Sequence, residues 1–285
     1  MTQTRGKTIQ IFLPDGNPRG VKIAEFTSRT IQVVLVPRAQ LGFACTRSEL
    51  KNVGLYLLFG DTSGGNLPML YIGEAEDCAS RIKQHNKLKD WWGGGALVCV
   101  SKTAEFTKAH VKYLEWYCHQ QAAIAGRYRR ENGNVPPKSH VSESVVADLM
   151  DHFESIRTLT STLGYPLFDL IQQPKSKDVL TCKGKKARAS GEYTEDGLFV
   201  LAGSIANRIF TKSSHDYIEA MRDGLIEDGI MEIIDEETLR FVKDHVFNSP
   251  SQAASVVLAR TANGWIEWKY PDEKTLDEVK RNNID

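Results

Sequence analysis

Short apolar runs separated by turn residues mark the first part of the chain. Residues 8–13 and 21–26 are joined by the polar sequence PDGNPRG, and residues 30–36 form a third run, rich in valine and isoleucine. Runs of this kind, bounded by Gly, Pro, Asn and Asp, are typical of strands and hairpins. Residues 1–52 are therefore predicted to form a small β-rich module, which closes with a short amphipathic helix over residues 39–51.

The same pattern predicts a second hairpin, in which apolar residues 53–59 and 69–72 flank the glycine-bearing turn DTSGGNLP. Tyr56 lies on the first strand of this hairpin and Tyr71 on the second. After Gly73 the apolar spacing changes to that of a helix, and three acids near its start suit the positive end of the helix dipole.

That helix adds two more polar side chains to the region. Arg81 and His85 are four residues apart and therefore share one helix face. Two phenols, a guanidinium and an imidazole are thus expected to converge from three neighbouring elements. Each has an ordinary structural interpretation when taken alone: a core aromatic, a surface histidine, or an arginine paired with Asp77.

Three longer elements follow. Residues 96–101 are predicted to form a strand, and residues 106–127 and 141–163 are predicted to form helices. Glu115 lies beside the apolar seam of the first of these helices. The two tryptophans of the WWGGG sequence before the strand have two interpretations, core packing and stacking on nucleic-acid bases.

The composition is that of an ordinary globular protein. A chain of 285 residues, 41% hydrophobic and 25% charged, is long enough for two or three domains. No apolar run approaches about 18 residues and the N-terminus lacks a signal-peptide core, so we expect a cytoplasmic protein that does not enter a membrane. The five cysteines form no CxxC pair, which predicts reduced thiols. Cys118-His119 leaves metal binding and simple packing as alternatives.

Charge is distributed unevenly although the net charge is zero. Residues 1–53 contain eight Lys or Arg against three Asp or Glu, a net of +5, and residues 175–189 contain six against one, also +5. Residues 215–245 contain three against ten, a net of −7. The basic segments are either phosphate-contacting surfaces or solvated ones. The acidic segment is a candidate docking face for a partner subunit.

The region from residue 53 to residue 134 resembles the GIY-YIG nuclease family. The matching residues are, in order, Gly54-Leu55-Tyr56, Tyr71-Ile72-Gly73, RIKQH at 81–85, KYLE at 112–115 and Asn132, with Asn134 as a competitor for the last position. The resemblance implies an α+β fold in which residues 53–165 form a GIY-YIG-like three-stranded antiparallel sheet flanked by helices. The small N-terminal β-rich module precedes this domain, and a C-terminal α+β domain follows it.

The resemblance also implies a catalytic set: Tyr56, Tyr71, Arg81, His85, Glu115 and Asn132. Glu115 is the implied metal ligand, holding a single Mg²⁺ or Mn²⁺ that otherwise keeps its waters. Arg81 offers a permanently charged fork to the phosphate oxygens. Asn132 is implied to position Glu115 or a metal-bound water.

The base is not settled by the residues themselves. Tyr56 is the base or base relay that the resemblance implies, but a phenol with a pKa of about 10 needs that pKa lowered to serve. His85 has a more suitable intrinsic pKa, and acts either as the base or by deprotonating Tyr56. Tyr71 is expected to orient the attacking water or the phosphate.

The remainder is predicted to be a basic linker over residues 166–190 and an α+β domain over residues 191–275. Ser249 is a predicted helix N-cap followed by Pro250, with phosphate binding as the alternative role for this helix start. NGWIEWKY is predicted to form a turn and an aromatic strand. The pattern FNSPSQAA…NGWIEWK resembles a C-terminal domain of uncharacterised function that is often appended to GIY-YIG domains.

These features predict a metal-dependent endonuclease that hydrolyses phosphodiester bonds in DNA, with duplex favoured over single-stranded DNA and RNA left open as the alternative nucleic acid. Restriction, phage defence and repair all fit such an activity. The alternative is a catalytically silent nucleic-acid-binding or assembly subunit that needs a partner. Self-association into a homo-oligomer is a further alternative that the sequence does not decide.

Overall fold

The computed structural model describes residues 6–60, 67–170, 179–211 and 216–281. They form two compact units, the first ending at Leu170 and the second comprising the described residues from 179 onward. Each unit has its own sheet and apolar core, so the fold is mixed α+β with two sheets. Residues 61–66 of the predicted hairpin turn and residues 171–178 of the predicted linker lie outside the described residues. None of the described helices has the length and apolarity needed to cross a bilayer.

The first unit is built on a sheet of seven described strands. In chain order they are β1 (Ile9–Phe12), β2 (Lys22–Phe26), β3 (Ile31–Val36), β4 (Gly54–Phe59), β5 (Met69–Ala75), β6 (Gly95–Ser101) and β7 (Arg129–Arg130). Their order across the sheet is β1-β2-β3-β6-β4-β5-β7. The β5–β7 pair is parallel, and the other neighbouring pairs are antiparallel.

The N-terminal strands extend the sheet formed by β4, β5 and β6 and do not form a sheet of their own. β3 pairs with β6 from Ile31↔Ser101 to Val36↔Ala96. The three strands expected to make a separate sheet, β6, β4 and β5, are therefore neighbours within a larger one. The reason is that β3 is almost entirely buried, so its backbone groups need a hydrogen-bonding strand on both sides, which β2 and β6 supply.

Helices cover both faces of this sheet. They are α1 (Leu41–Ala44) and α2 (Cys78–Leu88) on one face, and α3 (Lys108–Ala125) and α4 (Glu143–Thr162) on the other. Alternation along β4 divides its side chains between the two cores, since Leu55 and Leu57 pack with α3 and α4 whereas Tyr56 and Leu58 pack with α1 and α2. Trp92 is fully buried in the α1–α2 core, which assigns it to packing and not to base stacking.

The predicted helix over residues 39–51 is reduced to one α-helical turn. α1 lies between two 3-10 turns, Arg38–Gln40 and Glu49–Lys51. Gly42 weakens α1 from within, and the Thr46 hydroxyl just beyond it donates to the Phe43 carbonyl, which competes with continuation of the helix.

The second unit has a sheet of eight described strands and four described helices. The strands are β8 (Leu180–Lys183), β9 (Arg188–Thr194), β10 (Gly197–Val200), β11 (Ile205–Asn207), β12 (Met231–Ile233), β13 (Thr238–Phe241), β14 (His245–Phe247) and β15 (Trp268–Lys269). The helices are α5 (Asp216–Glu227), α6 (Pro250–Leu258), α7 (Gly264–Glu267) and α8 (Leu276–Lys280).

The end of the predicted basic linker belongs to this second sheet. β8 and β9 form an antiparallel pair across residues 180–191. Lys183 and Lys186 lie 3.5 Å and 3.0 Å from the carboxylates of Glu273 and Glu237, so part of the basic charge is paired within the unit. Alternating buried residues in β8 and β9, Leu180 and Cys182 among them, explain why the segment folds despite its lysines.

Two local predictions for the second unit have different outcomes. The predicted cap is confirmed, because Ser249 Oγ accepts a hydrogen bond from the Gln252 backbone at 3.2 Å and Pro250 starts α6. The first half of the predicted strand in NGWIEWKY is helical, and only its second half is extended. Asn263 caps α7 by accepting from the Trp265 backbone, and β15 has only two residues.

Candidate active site

The two motif glycines are required by close contacts in the sheet. Gly73 is the cross-strand partner of Tyr56, and a Cβ on Gly73 would collide with the phenol oxygen and ring carbons of Tyr56. A Cβ on Gly54 would lie 2.7 Å from both the Cys99 carbonyl oxygen and a methyl carbon of Val100. Gly73 therefore lets the Tyr56 ring cross β5, and Gly54 lets β4 approach β6.

Replacing Gly73 by Ala is expected to displace the Tyr56 phenol and to lower the free energy of unfolding by about 1–3 kcal/mol, the cost typical of overpacking. Urea unfolding measures that loss. Gly133→Ala is the matched control, because a Cβ there would meet nothing within 4 Å. Equal stability of the two variants would show that the phenol does not depend on the contact with Gly73.

The structure brings four of the predicted site residues together on the α2 face of the sheet. The phenol oxygen of Tyr56 lies 2.9 Å from His85 Nε2, and Arg81 Nε donates to the same oxygen at 3.4 Å. The rings of Tyr56 and Tyr71 stack with centroids 6.0 Å apart, and the Tyr71 and His85 centroids are 4.8 Å apart. Asp77 does not pair with Arg81; it caps α2 through the Ser80 backbone.

Burial determines the protonation states of the hydrogen-bonded pair Tyr56 and His85. Tyr56 is 1% exposed, and burial, aided by Tyr71, raises its pKa above the usual phenol value although Arg81 acts in the opposite direction. Burial, together with the cations of Arg81 and Lys89, lowers the pKa of His85 to about 4, and the Glu131 carboxylate acts in the opposite direction. At neutral pH the phenol is protonated and the imidazole is neutral. The Tyr56 hydroxyl therefore donates its proton to the neutral His85 Nε2, and Tyr56 is not a preformed phenolate base.

Glu115 lies on α3 and therefore on the other face of the sheet from these four groups. Burial and the nearby carboxylate of Glu74 raise the pKa of Glu115 to about 7, against the cations of Lys108 and Lys112. Glu74 is adjacent to Gly73 on β5, and its Oε2 lies 2.9 Å from Lys108 Nζ.

The end of β5 is an open edge where the two faces meet. Within the described part of the chain, β7 pairs with β5 at Met69 and Leu70, and no strand covers the edge from Gly73 to Ala75. A ligand bound at this edge would lie between the side chains of the two faces.

The donor set on the α3 side fits a hydrated divalent cation. Mg²⁺ typically binds one or two carboxylates and keeps several waters. Glu115 and Glu74 supply two carboxylates of this type, and burial followed by the charge of Glu74 raises the pKa of Glu115 although Lys108 pairs with Glu74. A site composed of protein ligands alone is not present: the described residues contain no group of three or more His, Cys, Asp or Glu side chains that could hold a metal.

Asn132 uses its side-chain amide on the backbone of the second motif triplet. Its Oδ1 accepts from the Ile72 N–H at 3.0 Å, and its Nδ2 donates to the Ile72 carbonyl at 2.7 Å. This amide therefore fixes the strand on which Tyr71 lies, and its role in orienting Glu115 or a metal-bound water stays a prediction. Asn134 is exposed, so Asn132 is the asparagine that the structure places beside β5.

Two residues next to the tyrosines were not among the predicted set. Lys89 Nζ lies 4.9 Å from the Tyr71 ring centroid and 2.8 Å from Glu131 Oε2. Lys89 continues the four-residue spacing of Arg81 and His85, a signal that the sequence contained. Nothing local in the sequence predicted the contact with Glu131.

His119, the partner of Cys118 in the sequence, is a buried histidine without hydrogen bonds. It is fully buried, and neither ring nitrogen has a partner among the described residues. Burial, with a contribution from Arg130, lowers its pKa from 6.5 to about 4. The simple packing alternative thus describes this histidine.

His119 is expected to make the protein acid-sensitive. The pKa of His119 is depressed in the folded protein, so protonation of this residue does not reduce the free energy of unfolding above about pH 6.5. As the pH falls from there towards 4, the free energy of unfolding decreases, by a limit of about 3 kcal/mol. Urea unfolding of His119→Phe over this range should show a shallower loss of stability than the wild type. His140→Phe, at an exposed histidine, is the control. Identical pH profiles for wild type and His119→Phe would mean that His119 is protonated without cost.

A cleft of about 320 Å³ elsewhere in the first unit contains none of the predicted site residues. Its lining residues are Lys7, Glu154, Arg157, Thr158, Ser161, Thr162 and Asp169. Arg157 and Ser161 both bond the Asp169 carboxylate, so these polar groups satisfy one another.

Comparison with known proteins bears on the second unit. Neither the curated proteins nor the solved structures gave a match. Residues 180–280 match the family described as Domain of unknown function (DUF4357), which supports the predicted C-terminal domain of uncharacterised function.

Proposed function

We propose that the first unit is a metal-dependent endonuclease that hydrolyses phosphodiester bonds in DNA, as its resemblance to the GIY-YIG nuclease family implies. The observation that carries the proposal is the hydrogen-bonded set on one face of the sheet. The Tyr56 phenol oxygen lies 2.9 Å from the His85 imidazole and 3.4 Å from the Arg81 guanidinium, beside the Tyr71 ring. A lone core tyrosine needs neither of these partners.

Each group has a distinct chemical task in the proposed reaction. The exposed Arg81 guanidinium binds the non-bridging phosphate oxygens and stabilises the charge that develops there. As the water oxygen bonds to phosphorus, the water gives a proton to the Tyr56 oxygen, and Tyr56 gives its own proton to the neutral His85 Nε2. The bond to the leaving oxygen breaks, and that oxygen takes up a proton from solvent. A divalent cation held by Glu115 would supply charge neutralisation at the phosphate.

Duplex DNA is the proposed substrate, and restriction, phage defence and repair are the proposed settings. Support comes from the basic N-terminal region, whose strands belong to the same sheet as the site. Phosphate contacts from such a region contribute salt-dependent affinity that is largely blind to sequence.

The second candidate is a catalytically silent nucleic-acid-binding or assembly subunit that needs a partner. One observation favours it: Tyr56 is only 1% exposed, which restricts the access of water to its oxygen. The acidic segment over residues 215–245 is the proposed docking face in that case.

Cleavage assays distinguish the two candidates. Plasmid, linear duplex and single-stranded DNA are incubated with the protein in Mg²⁺, Mn²⁺ or EDTA. The endonuclease proposal expects cleavage with either metal and none in EDTA, and a large loss in Tyr56→Phe, which keeps the ring but removes the oxygen. Binding without cleavage in any metal would favour the silent subunit, and cleavage in EDTA would overturn the metal-dependent assignment.

A further inference from the structure

A third basic group lies on the α2 face that carries Arg81 and His85. Lys89 follows α2 directly, and its backbone N–H donates to the His85 carbonyl at 2.8 Å, so the helical spacing continues to this residue. The Lys89 ammonium lies 4.9 Å from the Tyr71 ring centroid and 5.8 Å from that of Trp91. The tyrosine pair is therefore flanked by Arg81 on one side and Lys89 on the other.

Glu131 neutralises Lys89 in the free protein. Its Oε2 lies 2.8 Å from the Lys89 ammonium. The position of Glu131 is well defined, because its backbone N–H donates to the Leu70 carbonyl at 2.9 Å and the next residue, Asn132, bonds both backbone groups of Ile72. The two side chains are 21% and 30% exposed, so a solute can reach the ion pair.

The spacing of Arg81 and Lys89 suits one nucleic-acid strand. Eight helical residues separate their Cα atoms by roughly 12 Å. Neighbouring phosphates of one strand lie roughly 7 Å apart in space, because the strand winds around the axis while it rises about 3.4 Å per base, so this separation spans about two phosphate steps. When Arg81 binds the phosphate to be cleaved, Lys89 lies within reach of another phosphate of the same strand.

We infer that Lys89 is a substrate-binding residue that contacts a phosphate flanking the one to be cleaved, and that Glu131 is the counterion which this phosphate displaces. The inference rests on the proposed function for the identity of the ligand. The two rings near the ammonium hold it in place once the carboxylate no longer pairs with it.

The test is binding of a labelled short duplex in EDTA, over a salt series, so that it does not depend on cleavage. Four proteins are compared with the wild type: Lys89→Gln, Glu131→Gln, the double variant, and the control Lys87→Gln, an exposed lysine of α2. Lys89→Gln is expected to weaken binding and to reduce the slope of log K against log salt by about one. Lys87→Gln should leave that slope close to the wild-type value.

If the Glu131 carboxylate and a DNA phosphate compete for Lys89, Lys89→Gln should lower the affinity for DNA and Glu131→Gln should raise it. Glu131→Gln should tighten binding several-fold in the wild-type background and much less when Lys89 is already replaced. Weaker binding and a lower unfolding midpoint in both Lys89→Gln and Glu131→Gln would show a structural ion pair and overturn the inference, as would an unchanged salt slope in Lys89→Gln.

Failure of this inference is distinguishable from failure of the proposed function. A wild-type protein that cuts DNA while Lys89→Gln keeps its salt slope overturns the inference alone. A wild-type protein that binds DNA without cutting it, while Lys89→Gln loses one unit of slope, overturns the endonuclease and keeps the inference. A wild-type protein that binds no nucleic acid overturns both.

Discussion

Replacing Glu115 by Gln is expected to lower the rate of DNA cleavage about a thousandfold while the protein stays folded. Gln keeps the size of the side chain but removes the charge that would bind a divalent cation. Such a cation stabilises transition-state charge by several kcal/mol, and about 4 kcal/mol corresponds to a thousandfold in rate. Single-turnover cleavage of linear duplex in saturating Mg²⁺ measures the effect.

The same substitution is expected not to destabilise the fold. The pKa of Glu115 is raised from 4.5 to about 7 by burial and by Glu74, so ionisation of this carboxyl costs stability as the pH rises through that interval. Gln removes this cost, and the urea midpoint at pH 8 should equal or exceed that of the wild type. Loss of cleavage together with preserved stability is the combination that a purely structural Glu115 would not show.

Glu154→Gln on α4 is the matched control, because Glu154 lies in the polar cleft and outside the proposed site. It should cut at the wild-type rate. Wild-type activity in Glu115→Gln would remove Glu115 from the metal assignment.

Arg81→Lys is expected to reduce cleavage about a hundredfold or more although it keeps the positive charge. Lysine lacks the planar fork that places two N–H groups on two phosphate oxygens. It also lacks the Nε–H that Arg81 donates to the Tyr56 oxygen at 3.4 Å. Loss of one transition-state electrostatic contact costs roughly a hundred- to a thousandfold in turnover.

The kinetic constant that changes identifies the role of Arg81. A transition-state contact lowers kcat, whereas a residue that only attracts DNA raises KM and leaves kcat unchanged. Arg47→Lys is the control, since the Arg47 guanidinium pairs with Glu49 and takes no part in the site. Near-wild-type kcat in Arg81→Lys would make Arg81 a surface residue bonded to Gln84 and Tyr56.

The structure alters the chemistry expected of the tyrosines. From residue type alone, Tyr56 is a candidate base that needs a lowered pKa. In the folded chain burial raises that pKa and lowers the pKa of His85, so neither group is charged at neutral pH. Their hydrogen bond is therefore suited to passing a proton along and not to storing a negative charge.

Local features of the first unit were readable from the sequence because neighbours along the chain determine them. The β4–β5 hairpin follows from alternating apolar runs around a glycine-bearing turn. The shared face of Arg81 and His85 follows from their four-residue separation in α2, and the cap at Ser249 follows from its Oγ and the proline after it. In each case the physical cause operates within one turn of helix or one strand pair.

Packing between segments far apart in the chain determined the features that the sequence did not predict. No local pattern indicates that β3 pairs with β6 across about 65 residues of chain, because strand pairing depends on which buried edges meet. The same holds for Glu115, whose helix packs on the face opposite Tyr56, and for the contact between Lys89 and Glu131.

The sequence by itself thus determined the chemical groups, their order and the short-range geometry that joins them in pairs. Only the tertiary structure decided which elements pack on the same face of the sheet and how each group is protonated. The physical reason is that pKa shifts arise from desolvation and from charges brought near by folding, as for the buried pair Tyr56 and His85. Spacing along the chain contains no information about either.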